Sequence, residues 1–276
     1  MPTWLITGCS TGLGRALAQA VLQRGWNAVV TARNVASVQD LPELYPHTAL
    51  AVPLDVSDRS QVTEAVRAAE SRFGGVDVVV NNAGHGYRAA VEEGEEPDVA
   101  ELFATNFFGP VDLIKSVLPG MRERRSGAIV NVSSIAGRLA LPGSGYYSAT
   151  KFALAGISDA LRREVEPLGI RVILVEPGAF RTDFAGRSLQ QSRITIEDYD
   201  ETAGLRRIEN DTTHGRQPGD PARAAQAVIE AVASPDAPFR LLLGSDAVQI
   251  IGDELHAQLQ ELQAWKDTSL STDFSE

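Results

Sequence analysis

Tyr147 and Lys151 stand four residues apart in the run Y-S-A-T-K, and Ser134 lies thirteen residues before Tyr147. On a helix, positions i and i+4 share one face, so the phenol and the ammonium point into the same space. A hydroxyl at the end of a preceding strand can meet them there. A cation beside a tyrosine favours the phenolate. An isolated tyrosine titrates near pH ~10, so proton transfer at neutral pH asks for a shift of roughly three units, about 4 kcal/mol. These residue types at this spacing predict an acid–base site. The pair alone is also what an amphipathic helix with one Tyr and one Lys would show, and its weight comes from what precedes it.

What precedes it is a glycine-rich turn at the start of the chain. Thr3-Trp4-Leu5-Ile6 reads as a short buried strand, followed by T-G-C-S-T-G-L-G from Thr7 to Gly14 and an alanine-rich amphipathic helix from Arg15. Gly8, Gly12 and Gly14 permit positive φ, close backbone approach to a pyrophosphate, and tight packing of helix on sheet. Ser10, Thr11 and Leu13 complete the turn. The helix N-terminus adds N–H groups and a partial positive charge suited to phosphate. A strand, this turn and a helix in that order predict a dinucleotide site.

These residues need a scaffold. Strand-length apolar runs occur at Thr3–Thr7, Asn27–Ala32, Ala49–Leu54, Val76–Asn81, Ala128–Ser133, Arg171–Glu176 and Arg240–Leu243. They lack polar alternation, as parallel strands covered on both faces should. Helical periods cover Gly12–Arg24, Arg59–Phe73, Asp98–Arg124, Tyr147–Glu166, Pro221–Ala233 and Asp253–Trp265. Ser57 reads as the cap of the second of these, and Asp220-Pro221 as a cap with proline at the first helical position. The segment Asn34–Pro46 fits neither pattern. The alternation predicts one α/β domain over residues 1–276, a doubly wound, seven-stranded, mostly parallel sheet with helices on both faces. Residues 178–218 have no clean period, and a loop of that length in a compact domain reads as a substrate lid. The polar tail, residues 267–276, is expected to fray.

The motifs in order resemble the short-chain dehydrogenase/reductases. They are T-G-x-x-x-G-x-G, Asp55-Val56, Asn81-Asn82-Ala83-Gly84, Asn106, Ser134, Tyr147, Lys151, and Pro177-Gly178 with Thr182, spanning Thr3 to about Asp183. The resemblance implies a Rossmann-like fold and an oxidoreductase moving hydride between a nicotinamide dinucleotide and an alcohol or carbonyl. It further implies that Asp55 and Val56 hold the adenine and that Asn82, Ala83 and Gly84 pass beside its ribose. Pro177, Gly178, Phe180 and Thr182 would hold the nicotinamide carboxamide. Tyr147 would be the acid–base group, Lys151 would bond the nicotinamide ribose and bias Tyr147, Ser134 would orient the substrate oxygen, and Asn106 would carry a relaying water. Asn81 would only tie strands together. NAD-preferring relatives place an acid at the position of Ala32; here it is absent and Arg33 follows, so NADP(H) is expected over NAD(H), with NAD(H) possible. Two alternatives on the same fold are a dinucleotide-sensing regulator and a sugar-nucleotide epimerase or dehydratase. The first typically loses the Tyr/Lys pair and the second usually has another glycine spacing.

Composition narrows the partners. A formal charge of −11 disfavours nucleic acid and anionic membrane surfaces. The acidic run Glu92-Glu93-Gly94-Glu95-Glu96 reads as a solvated loop. The single Cys9 excludes intrachain disulfides and suits a reducing, cytoplasmic setting. His47, His85, His214 and His256 have no metal-ligand spacing, so no metal is expected. Tyr146 faces Thr150 at i+4 and reads as a decoy, as does Ser133. Apolar positions at Phe107, Phe108, Val111, Phe152 and Leu154 exceed one core-facing stripe, and the resemblance implies that these helices pair across a two-fold axis in a homodimer or homotetramer. Phe180, Phe184, Leu139, Leu141, Pro142 and Tyr87 suggest a largely apolar substrate pocket, with Arg181, Arg187, Arg193, Arg206 and Arg207 as possible anion-binding intruders.

Overall fold

The computed structural model describes residues 1–186, 188–208 and 215–274. Arg187 and the central stretch 209–214 of the long polar segment lie outside the described residues.

Seven strands form one sheet: β1 (Thr3–Ile6), β2 (Asn27–Ala32), β3 (Ala49–Pro53), β4 (Val78–Asn81), β6 (Gly127–Val132), β7 (Ile170–Pro177) and β9 (Arg240–Leu243). Their order is β3-β2-β1-β4-β6-β7-β9, and each neighbouring pair runs parallel. Alternate side chains leave each strand on opposite faces, which gives two cores. Trp4 and Ile6 join one core with α1 (Gly12–Gln23) and α7 (Pro221–Ala233). Leu5 joins the other, with α3 (Arg59–Phe73), α5 (Gly109–Arg124) and α6 (Gly145–Val165). The chain winds outward from β1 in one direction and from β4 in the other. Ligand clefts of open parallel sheets form at such a reversal, beyond the carboxyl ends of the strands. The fold is the doubly wound, Rossmann-like α/β sandwich that the run pattern predicts.

Element ends follow local chemistry. Asp58, not Ser57, caps α3, its carboxylate accepting from the N–H groups of Ser60 and Gln61. Asp220 caps α7, accepting from Ala222 N. The helix expected over Asp98–Arg124 starts two residues earlier as α4 (Glu96–Phe103), and a π-helical turn at Ala104–Phe108 separates it from α5. Asn34–Pro46 holds a 3₁₀ turn (Val35–Val38) and the short α2 (Asp40–Leu44). The C-terminal helix α8 (Ser245–Ala264) begins eight residues before the expected start; its first turns bury Ala247 and Ile251 and hold the loop after β7 through Asp246. Lys266–Leu270 form a last, exposed helix, α9.

The acidic run departs most from its sequence reading. Glu93 is fully buried, ion-paired with Arg207, and accepts from Ala90 N at 2.7 Å and Ile196 N at 2.8 Å. Glu95 accepts from Arg193 Nη2 at 2.9 Å and from its backbone N–H at 3.0 Å. Glu92 accepts from Tyr199 Oη at 2.7 Å. The run anchors the segment that follows β7; it is no solvated loop. Two short strands, β5 (Gly86–Arg88) and β8 (Leu189–Gln191), pair parallel beside it.

Candidate active site

All the expected site residues except Gly14 and Asn106 line one cleft of about 900 Å³. The glycine turn contributes Gly8, Ser10, Thr11, Gly12 and Leu13. Gly8 (φ +71°) and Gly12 (φ +62°) adopt left-handed backbone, and a Cβ at Gly8 would lie 3.0 Å from Ala83 Cα. Thr11 stands at the N-cap of α1 without a side-chain cap, and no acid occupies the first turn. The helix thus meets the cleft with its first N–H groups and positive end uncovered, which fits a phosphate. Gly14 does not line the cleft: a Cβ there would fall 2.3 Å from Asn82 Nδ2 and 2.5 Å from Gly8 O, so it serves close packing.

The strand ends supply the flanks. Arg33, exposed, and Asp55 and Val56 line one side. Asp55 Oδ1 accepts from Ser57 N at 3.0 Å and Ser57 Oγ at 2.7 Å. Asn82, Ala83 and Gly84 line the floor. Asn82 Nδ2 donates to Thr7 O at 2.8 Å and Gly8 O at 3.2 Å, so it also fixes the glycine turn. Asn81 donates to Asn131 Oδ1 at 2.8 Å, tying β4 to β6. Pro177, Gly178, Phe180 and Thr182 line the far side. Their loop is held by Asp246, whose carboxylate accepts from Ala179 N at 2.7 Å and leaves no room for a Cβ at Gly178.

Tyr147 and Lys151 enter from the first two turns of α6, both buried, and Ser134 from the end of β6. Burial pushes Tyr147 up to about 12, while the hydrogen bond from Ser134 and the positive charge of Arg88 pull it down. Burial also pushes Lys151 down to about 8. Lys151 Nζ donates to Val132 O at 3.0 Å and sits 5.7 Å from the Tyr147 ring centre. Lys151, over the Tyr147 ring, and Arg88 both bring positive charge to the phenol's side of the cleft. Asn106 is buried in the π-turn behind the cleft wall and does not line it. It holds His85 by both backbone groups, accepting from N at 3.0 Å and donating to O at 2.9 Å. π-turns within helices recur where a site bends the backbone.

Tyr146 turns away, donating to Val91 O at 2.6 Å, and Ser133 is buried near Lys151 O. Tyr87 does not line the cleft; it packs with Ala89 and Leu102. Its neighbour Arg88 does line it, because adjacent residues on a strand face opposite sides. Pro142 lies away from the cleft, while Phe184, Leu139, Leu141 and Arg206 line it with Arg88, Ser188 and Gln190. The expected largely apolar wall is therefore mixed. Arg181 is spent on Gln217 O and Arg193 on Glu95. Arg88 and Asp246 also line the cleft and were not singled out by sequence reasoning; His85, which directly follows Gly84 in the sequence, lines it too. The His85 ring is part-buried at the cleft wall, and burial lowers its pKa while the Gly86 backbone pulls it back up.

Comparison with known proteins agrees with this geometry. Residues 2–193 match the short chain dehydrogenase family. Oxidoreductase BOA17 of Botryotinia fuckeliana is 36% identical over 98% of both chains. The 3-ketodihydrosphingosine reductase of Bacteroides thetaiotaomicron is 38% identical over 87% of both. A short-chain dehydrogenase from Streptomyces avermitilis superposes with a TM-score of 0.93 at 41% identity, covering 99% of this chain and 100% of the other. Another, from Burkholderia cenocepacia in complex with NADP, gives 0.73 at 26% identity, covering 95% and 96%. The chain belongs to the short-chain dehydrogenase/reductase family, and that membership supports oxidoreductase activity.

Proposed function

We propose that this protein interconverts an alcohol and its ketone or aldehyde with NADP(H) in preference to NAD(H). The observation that carries the reading is the convergence of Tyr147, Ser134 and Lys151 on the cleft that the glycine turn enters. When bound, the nicotinamide supplies or accepts the hydride. The uncovered start of α1 would hold its pyrophosphate and Asp55 and Val56 its adenine. Asn82, Ala83 and Gly84 would lie beside the ribose, and Pro177, Gly178, Phe180 and Thr182 beside the carboxamide. Arg33 would pair with a 2′-phosphate, since Ala32 leaves no acid to repel it.

In reduction, Ser134 would hold the substrate oxygen and Tyr147 would give it a proton. Lys151 would bond the ribose and, charged, lower the cost of the phenolate left behind. Asn106, through the backbone of His85, would keep the floor of the cleft in place beside Lys151. Such a positioned acid–base group contributes about 10²–10⁴-fold. The segment following β7 would act as a lid: Phe184 lies 5.7 Å, centre to centre, from the Tyr147 ring. The Bacteroides relative is named for a 3-keto substrate, which favours the carbonyl-reducing direction.

The test is a steady-state assay of wild type and Arg33→Ala with NADPH and NADH over a panel of ketones and alcohols. NADPH should be the better substrate, and Arg33→Ala should lose most of that margin. Equal efficiency with NADH, or an unaltered margin in the variant, would contradict the cofactor preference.

A further inference from the structure

Asp246 lies beyond residues 2–193, the part of the chain that matches the family, yet its side chain lines the cleft. It stands in the first turn of α8, and Ile250, one turn on and on the same helix face, lines the cleft as well. Two glycines make room for this carboxylate. A Cβ at Gly178 would overlap both of its oxygens, and one at Gly244, where φ is +103°, would lie 2.5 Å from Oδ1. Oδ2 accepts from Ala179 N at 2.7 Å, and Gly178 N donates to Leu243 O at 2.9 Å, so α8 and the end of β9 hold the Pro177–Phe180 loop from one side. Gly219 holds it from the other, its N–H donating to Ala179 O at 3.0 Å and its carbonyl accepting from Arg181 N at 2.9 Å. Among the described residues, no cationic side chain forms an ion pair with Asp246. The Ala179 N–H and the positive end of α8 bring only partial charges, so a net negative charge remains on this wall. Pro177, Phe180 and Ile250 line the cleft around it, and apolar surroundings screen a charge less than water does.

We propose that Asp246 is a specificity-determining residue for the oxidation state of the cofactor, its fixed charge tilting the affinity of the cleft toward the oxidised nicotinamide. The inference rests on the reading in which Pro177, Gly178, Phe180 and Thr182 hold the carboxamide. A carboxamide held there brings its ring to the side of the cleft that carries Asp246. The reduced ring is neutral and the oxidised ring is a cation, so a carboxylate discriminates between them. In carbonyl reduction a hydride passes from the ring to the carbonyl carbon, a proton passes from Tyr147 to the oxygen, and positive charge is left on the ring. A preplaced negative charge on that side favours the same separation of charge in the transition state.

The experiment measures dissociation constants for wild type, Asp246→Asn and Asp246→Ala. NADPH is followed by nucleotide fluorescence, and NADP⁺ and adenosine 2′,5′-bisphosphate by displacement of NADPH. The bisphosphate has the adenine half of the cofactor and no nicotinamide. Asparagine keeps an oxygen to accept from Ala179 N and loses the charge. It should weaken NADP⁺ relative to NADPH by about three- to tenfold, with the bisphosphate bound as in wild type. Alanine also releases the loop and should weaken NADPH too, again sparing the bisphosphate. If NAD(H) is the tighter pair, NADH, NAD⁺ and AMP replace the three ligands. An unchanged ratio of oxidised to reduced cofactor affinity in Asp246→Asn overturns the proposal. So does a loss shared equally by all three ligands, which would mark the carboxylate as a support of the fold alone. A wild-type protein that binds no nicotinamide dinucleotide counts instead against the reading of the cleft, and the proposal falls with it.

Discussion

Lys151 shows how function and stability oppose each other at a single residue. Its ammonium is buried, with Val132 O as hydrogen-bond acceptor, and burial pushes it down to about 8. The folded state therefore binds the proton less tightly than the unfolded chain does, and stability rises with pH between the folded and unfolded values. Replacing the charge by Lys151→Met should stabilise the fold at pH 7 by roughly 1–3 kcal/mol while abolishing most turnover. Thermal melts should show that advantage below about pH 8 and its decline toward the unfolded lysine value of ~10.4. A variant less stable than wild type at pH 7 would contradict the electrostatic account. Activity carries the same signature. Tyr147, pushed up to about 12, remains a proton donor through neutral pH, so reduction should hold until Lys151 loses its charge near 8 and then fall. Oxidation, which needs the phenolate, should rise with pH. Tyr147 and Lys151 were legible from their i, i+4 spacing on one helix, and Ser134 from the family resemblance together with its place after a strand. The place of Arg88 on the cleft wall was not, since it depends on a strand pairing with residues about a hundred positions later.

Among the elements, the seven strands of the main sheet and most helices were legible from runs of Val, Ile and Leu and from cap chemistry, and the short pair β5 and β8 was not. The π-turn at Ala104–Phe108 was not, because a single extra residue in a helical turn leaves no periodic trace in A-T-N-F-F. The acidic run misled for a related reason: charge density predicts solvation until a partner is known. Glu93 finds Arg207 and the N–H groups of Ala90 and Ile196, and both the arginine and Ile196 lie more than a hundred residues further on. Removing one member of a buried, hydrogen-bonded ion pair costs about 3–5 kcal/mol. Glu93→Gln should therefore lower the melting temperature by several degrees and speed tryptic cleavage at Arg193, Arg206 or Arg207, with NADPH and a substrate analogue restoring part of the protection. Cleavage at the wild-type rate would show that the pair does not hold the segment. Gly94 offers a sharper probe, since a Cβ there would lie 2.2 Å from the Tyr146 ring, and Gly94→Ala should displace that ring and loosen the same anchor.

For the whole molecule, the α5 and α6 surfaces bear on self-association. Phe108 is 57% exposed and Phe152 46%, whereas Leu154, grouped with them by sequence, is buried in the fold. No described helix is long and apolar enough to cross a membrane. Exposed aromatics at the π-turn before α5 and on α6 support pairing with a second copy, so light scattering should give a dimer or tetramer mass at micromolar concentration, and a Phe108→Asp/Phe152→Asp double variant should shift it toward monomer. A monomer mass for wild type would remove the basis of that expectation. The central claim is that one cleft brings a nicotinamide dinucleotide to Tyr147 as the proton donor. Its most direct test is to measure, on the same preparations of wild type and Tyr147→Phe, NADPH affinity by fluorescence titration and turnover of a reactive ketone by loss of nicotinamide absorbance. The account predicts similar affinity and a turnover reduced by about 10²-fold or more. Turnover retained in the phenylalanine variant would contradict it.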